Sequence, residues 1–512
     1  MSVAEPSFGA EGQQFGDAVD HGIGVAAWAE EIAIPALGGG ALERTHEDLV
    51  EPASLQELIA HRRLDHPQLR IVGTHTRPVA RAAVQGIAPS WRAREGRLAL
   101  RGMQARRAER PGNTDLGGSR LLLMAFGVLL IRLASMAASM RELDGDTMTW
   151  RRNDGFWPLL PYVFIEGLQA LLGSYSLLLY LGLAPLLAST VLPLWWTSRH
   201  LQISRDAFVL AVVVFALYPY LLVHVARQPD TGLSIAMMIW SVGCFHRWSA
   251  LGTPWSAVCC ATSFALLVAD RSQALLLFPF LGASELWLQR THRSRSQWAL
   301  LVALLSVCLG GYASVRWALY EEFGLLTKNG GYNLLVGHND YAQQYLLRYD
   351  VTSEAVIFDH RSELCPDRVD TRAALDEGMR DCALDWIQQH PGRAVAAVPW
   401  RVWRHFDLLH TTFSINSPVK NLLYTGPYLA VLVGALAATC RSWQGLGIPW
   451  GSCLFLWAIA FVYALPNLVT LPLIRLRMHT EVYWILLAST AWVPWLRKLG
   501  VVESVIGRMR AA

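Results

Sequence analysis

From Leu121 to the C-terminus the chain is a succession of apolar runs, many of them about as long as a lipid bilayer is thick. A helix needs about 20 mainly apolar residues to cross the hydrocarbon core. Ten segments approach or meet that length, near 121–140, 176–196, 207–226, 232–247, 256–269, 272–288, 298–318, 421–439, 451–471 and 481–496. In lipid every backbone polar group must be satisfied inside its own segment, so such runs predict helices. Asp270-Arg271 divides the stretch 256–288. Two spans joined by a tight turn are favoured there over one long kinked helix, because an ion pair at the bilayer centre is costly. The expected fold is an all-α polytopic membrane protein with about ten transmembrane helices and a mainly helical extracytoplasmic cap. Composition agrees, since charged residues are 16% and apolar residues 53%, whereas soluble chains carry about a quarter charged residues.

Residues 1–118 differ in kind, being polar, poor in aromatics and basic toward their end at Arg101, Arg106, Arg107 and Arg110. They read as a disordered cytoplasmic extension without a secretory leader. The alternative is a start at Met103, which would leave only a short basic tail. The net charge of +4 is small and scattered, which argues against nucleic acid as a partner.

With the N-terminus inside, the connections 197–206, 248–255, 289–297 and 440–450 and the tail 499–512 are cytoplasmic. They and the flanking helix ends hold Arg199, Arg205, Arg290, Arg293, Arg295, Arg441, Arg497, Lys498, Arg508 and Arg510, the positive-inside pattern. The segments 141–175, 227–231, 269–271, 319–420 and 472–480 are then outside. Cys365 and Cys382 share the long outer segment, where an oxidising compartment permits a disulfide.

The first outer segment places Asp144, Asp146 and Asp154 before an amphipathic stretch, Phe156 to Leu172, expected to lie in the headgroup plane. A carboxylate at that boundary can take a proton from an attacking hydroxyl or hold a divalent cation against a phosphate. A plain solvated loop would look the same. Three short outer turns add Arg227 and Asp230, then Asp270 and Arg271, then Arg475, Arg477, His479 and Glu481. Arginines offer paired donors that fit phosphate oxygens. Any one of them alone reads first as a snorkelling helix-end residue; it is their convergence on one side that points to a phosphate-bearing ligand.

The long outer segment opens with glycines and amides, Asn329 to Ala342, as tight turns do. It contains Asn333, His338 and Asn339. His338 alone reads as a loop histidine, and no cluster with zinc spacing accompanies it. Residues 371–389 and 392–408 predict two helices separated by Pro391, the first capped by Asp370, with Leu375, Met379, Leu384, Trp386 and Ile387 forming much of an apolar face.

Together, the acidic outer loop and surface helix, the segment Ala269 to Leu276, the segment Gly331 to Asn339, and Arg475-Leu476-Arg477-Met478-His479 resemble the C-type superfamily of membrane glycosyltransferases, over about residues 120–500. That superfamily includes protein O-mannosyltransferases and the aminoarabinose transferases of lipid A. His390-Pro391-Gly392-Arg393, within Ala383 to Phe406, also looks like the family's outer-loop helices. The resemblance implies sugar transfer from a polyprenyl-phosphate donor to a lipid, glycan or protein acceptor on the extracytoplasmic face of the cell membrane. It implies Asp146 as first choice for the base and Asp144 as second, with Arg271, Arg475 and Arg477 near the donor phosphate. A divalent cation, Mg or Mn, would be held by Asp144 and Asp146. Departures from the family pattern are Thr147 in place of an acid, Ser272-Gln273 in place of Pro-Glu, and His479 in place of Pro. The competing readings are a lipid or glycan transporter or flippase, and a non-catalytic assembly protein. A transporter tends to show internal repeats and mid-span ionisable residues; the sequence shows no repeat, and the span centres are largely uncharged.

Overall fold

The computed structural model describes residues 116–140, 158–172, 178–227, 229–288, 293–321, 323–327, 329–342, 365, 372–406, 418–470 and 474–500. Among these, every regular element is helical. In chain order they are α1 (Gly118–Met140), α2 (Leu159–Leu172), a π-helical turn (Leu178–Leu183), α3 (Ala184–Ser189), α4 (Val191–His200), α5 (Arg205–Leu217), α6 (Pro219–Arg227), α7 (Pro229–Leu251) and α8 (Pro254–Asp270). A 3₁₀ turn (Ser272–Leu276) leads to α9 (Leu277–Leu288), α10 (Arg295–Tyr320), α11 (Gly330–Gly337), α12 (Arg372–Gln389), α13 (Pro391–His405), α14 (Pro418–Trp443), α15 (Trp450–Val469) and α16 (Ile474–Lys498).

Among the described residues, three helical stretches are long and apolar enough to cross a membrane: Gly118–Ala137, Tyr180–His200 and Arg295–Tyr320. Leu159–Leu172, Pro254–Asp270 and Trp450–Pro466 are shorter apolar helices. The outer helices α1 and α10 turn apolar side chains outward, with Leu122 and Val307 each 73% exposed. Exposed apolar bands of this kind need an apolar neighbour. By contrast, α7 is buried almost from end to end, and Met478 to Ser489 of α16 are buried throughout.

Local chemistry sets the boundaries. Ser204 accepts from the Ala207 amide at the start of α5, and Thr253 accepts from the Ser256 amide before Pro254 opens α8. Ser294 and Gln297 form a reciprocal capping box on α10. At Arg271 the backbone is extended, with φ −144° and ψ 100°, and α8 stops. The Phe264 and Phe278 rings, one on each side of that break, lie 5.3 Å apart. The chain has therefore turned back on itself, as the charged pair at 270–271 predicts.

Two sequence expectations change. The glycine-rich stretch after Asn329 is not a set of tight turns but the helix α11, which buries Tyr332, Leu335 and Val336. These pack with Met379, Ala383 and Cys365 in a second small core. On α12, Leu384 is exposed rather than part of the apolar face, because that helix buries the side carrying Met379, Cys382 and Ala383. Cys365 and Cys382 form a disulfide with Cα atoms 6.1 Å apart. Asp370 and nearly all of the expected N-terminal extension lie outside the described residues.

Candidate functional site

Where α7 begins and α8 ends, the first-turn residue Asp230 meets Arg271. The Arg271 guanidinium donates through Nη2 to Asp230 Oδ2 at 3.0 Å and through Nε to Ser234 Oγ at 3.1 Å. Ser234 in turn donates to the Asp230 carbonyl at 2.9 Å. Asp270 is fully buried beside this pair, and among the described residues neither of its carboxylate oxygens has a hydrogen-bond partner. The Gln273 Nε2 and the Tyr463 hydroxyl are buried in the same cluster, beside each other. One guanidinium thus faces two carboxylates, so its charge is already offset within the protein. The Arg271 side chain remains 18% exposed, and among the described residues its Nη1 makes no hydrogen bond.

A second ion pair lies on α16. Arg477 Nε donates to Glu481 Oε1 at 2.6 Å, one helical turn away, and both side chains are buried. The Arg477 guanidinium carbon stands 3.7 Å from the centre of the Tyr428 ring, and Nη1 reaches the His405 carbonyl at 3.4 Å. The Tyr218 hydroxyl, just before the α5–α6 break at Pro219, faces Glu481. His479 lies between Arg477 and Glu481 in sequence but points to a different face, with its ring 5.5 Å from that of Tyr463. Tyr463 touches the first cluster, so Asp230, Asp270, Arg271, Tyr463, His479, Arg477 and Glu481 make one polar belt. Burial, and then the charge of Arg477, push His405 down to about 3, so it is neutral at ordinary pH.

His338 and Asn339 seat α11 instead of joining the belt. His338 Nε2 lies 2.8 Å from the Val469 carbonyl. A carbonyl only accepts, so Nε2 carries the proton and Nδ1 accepts from Arg401 Nη2 at 3.2 Å. Arg401 also donates to the carbonyls of Gly337 and Val469, two acceptors left at helix ends. Burial and the Arg401 charge push His338 down to about 4. Asn339 bridges the Leu335 carbonyl at 2.7 Å and the Ala342 amide at 2.6 Å, while Asn333 is half-buried on α11.

Asp144, Asp146 and Asp154 lie outside the described residues, as does the side chain of Arg475, whose backbone is in the first turn of α16. Among the described residues no group of three or more His, Cys, Asp or Glu could hold a metal ion. Asp230 is engaged by Arg271, so a divalent cation would need the acidic outer loop to supply its ligands. The described donors alone do not fit one.

Of the residues that the sequence singles out, Asp230, Asp270, Arg271, Arg477, His479 and Glu481 lie in this belt. Sequence reading missed Tyr463, Tyr428, Tyr218 and the inner face of α13. The spacing of Ala394, Ala397, Arg401 and His405, every three or four residues, was the available signal for that face. It also passed over Arg132, buried on α1 and donating to the Phe215 carbonyl at 2.9 Å, and the buried His200–Glu285 pair at 3.1 Å, stacked on His246.

No family model matches the chain, and neither does any curated protein. Among solved structures it is similar to the archaeal oligosaccharyltransferase AglB from Archaeoglobus fulgidus in complex with an inhibitory peptide and a dolichol-phosphate, at 12% identity and a TM-score of 0.40. The match covers 75% of this chain and 48% of that one, so the chain spans about half the length of that protein. Likeness of this degree is no basis for assigning an activity.

Proposed function

We propose that the chain is a membrane glycosyltransferase that moves a sugar from a polyprenyl-phosphate donor to a hydroxyl of a lipid, glycan or protein acceptor. In this reading about ten helices cross the cell membrane, and the belt faces the extracytoplasmic side. The observation that carries the reading is the presence of two arginine–carboxylate pairs at helix ends among apolar helices, Arg271–Asp230 partly buried and Arg477–Glu481 fully buried. Buried ionisable groups among such helices mark functional sites.

The acceptor oxygen attacks the anomeric carbon as the bond from that carbon to the phosphate oxygen breaks. Asp146 takes the acceptor proton, and polyprenyl phosphate leaves with the bonding electrons. The Nη1 edge of Arg271, which makes no hydrogen bond among the described residues, would receive a phosphate oxygen without breaking the bonds to Asp230 and Ser234, and Arg475 and Arg477 would add positive charge to the same region. One displacement with one base inverts the anomeric configuration.

A specific observation favours the transporter alternative. Arg132 is an ionisable group buried within the apolar helix α1, as in transport pathways. The test is incorporation of labelled sugar from a panel of polyprenyl-phosphate donors, comparing wild type with Asp146→Asn and Asp144→Asn at equal expression. Loss in one variant supports transfer and identifies the base. Unchanged activity in both removes the catalytic assignment, and no transfer from any donor favours the transporter.

A further inference from the structure

Along α7, Asp230 and Arg247 are separated by about 25 Å at 1.5 Å per residue, so Arg247 stands at the far end of the bundle from the polar belt. A groove of about 270 Å³ opens there, lined chiefly by Trp196, Trp240, Arg247, Trp255 and Cys259. Arg247 is exposed, and its guanidinium carbon stacks 4.5 Å from the centre of the Trp196 ring. Stacking uses the flat face of the guanidinium and leaves its edge donors available to oxygen acceptors. Among the described residues no carboxylate pairs with it. The other walls are mainly aromatic and aliphatic.

The groove is preformed. Trp240 stands edge-on to Trp196, with centroids 5.9 Å apart, and its Nε1 donates to Ser189 Oγ at 3.0 Å. The turn between α7 and α8 forms the groove's rim. It is held by Arg293 Nε donating to the Ser249 carbonyl at 2.8 Å and Gln297 Nε2 to the Gly252 carbonyl at 3.1 Å. Gly252 adopts φ +64°, and a Cβ there would meet Arg293 Nη1 at 2.1 Å, so the rim admits only glycine without displacement. Leu251 and Trp255 remain 49% and 75% exposed, continuing the outward apolar surface of the helices around it.

We propose that this groove binds one anionic phospholipid, with its phosphate on the Arg247 edge and one acyl chain between Trp196, Trp240 and Trp255. Charge complementarity selects the occupant: among the described residues, the groove's lining offers one cation, Arg247, with no carboxylate paired to it, set in mainly apolar walls. Basic pockets between membrane helices bind anionic headgroups, and tryptophan favours the boundary between chain and headgroup. The volume suits part of one chain and is too small for a whole two-chain lipid. The site is separate from the polar belt and does not depend on transferase chemistry.

The test titrates the full-length protein in detergent with phosphatidylglycerol or phosphatidylcholine and reads bound lipid by native mass spectrometry. Wild type is expected to retain one phosphatidylglycerol in preference to phosphatidylcholine. Arg247→Gln should weaken that retention about tenfold, the loss of one charge-assisted contact, while Lys498→Gln leaves it unchanged. Cys259→Trp fills the groove while keeping the Arg247 charge and should also abolish retention, and bound lipid should slow alkylation of Cys259. Equal retention of the two lipids, or undiminished retention by either groove variant, overturns the proposal. Displacement of the lipid by equimolar inorganic phosphate also overturns it, because the site would then take free anions.

Discussion

Arg271 donates to Asp230 across 3.0 Å and ties the break after α8 to the first turn of α7, while the neighbouring Asp270 carboxylate stays buried with no hydrogen bond among the described residues. The two partners are therefore not equivalent. Removing Asp230 leaves the guanidinium beside Asp270; removing Arg271 strands two carboxylates in a buried site. Breaking a buried pair costs about 3–5 kcal/mol, and Arg271→Met should reach that range while Asp230→Asn falls below it. Thermal unfolding of both variants in detergent reads the difference, and equal shifts would contradict the asymmetry.

Gly337 passes so close to the turn after α15 that a Cβ would lie 2.6 Å from the Thr470 carbonyl oxygen, and at Gly331 it would lie 1.9 Å from the Asp376 carbonyl oxygen. Both obstacles are backbone and cannot rotate away. Overpacking of this kind costs about 1–3 kcal/mol, so Gly337→Ala and Gly331→Ala should each lower the unfolding temperature. Gly392 has nothing within 4 Å of its Cβ position, and Gly392→Ala serves as the silent comparison.

His338 and His405 are held neutral, lowered from an ordinary 6.5 to about 4 and about 3. The unfolded chain therefore binds more protons than the folded one below pH 6.5. Their contribution to stability is complete above that pH and is lost as pH falls toward 4 for His338 and toward 3 for His405. The slope is at most about 1.4 kcal/mol per pH unit for each histidine. His338→Gln keeps a donor for the Val469 carbonyl and should flatten the pH dependence of unfolding between pH 6.5 and 4. An unchanged slope would exclude His338 as its source.

The Cys365–Cys382 bridge closes a loop of sequence separation 17 and sits in the core beneath α11. A bridge over such a loop contributes about 2–4 kcal/mol. The Cys365→Ala variant should unfold at lower temperature than wild type, and reductant should lower the wild-type value toward that of the variant. A reductant effect on the variant as large as on wild type would place the effect elsewhere.

The sequence by itself determined the elements whose causes are local. Apolar runs fixed helices such as α1, α8 and α10, the Asp270-Arg271 pair set the break between α8 and α9, and Pro391 separated α12 from α13. Long-range contacts decided the rest. The glycine-rich stretch after Asn329 becomes α11 because the Asp376 carboxylate accepts its Tyr332 amide and Arg401 binds its last carbonyl. Those partners are distant in sequence, and no local propensity encodes them. Arg271 and Arg477 were legible as candidate site residues, but their pairing and their common belt with Tyr463 were not. A charge near a helix end reads the same whether it faces solvent, lipid or a buried carboxylate, and only the packing of α7, α8, α15 and α16 chooses among these. The groove at Arg247 follows the same logic: its tryptophans come from separate helices, and tertiary contact alone sets them around one guanidinium.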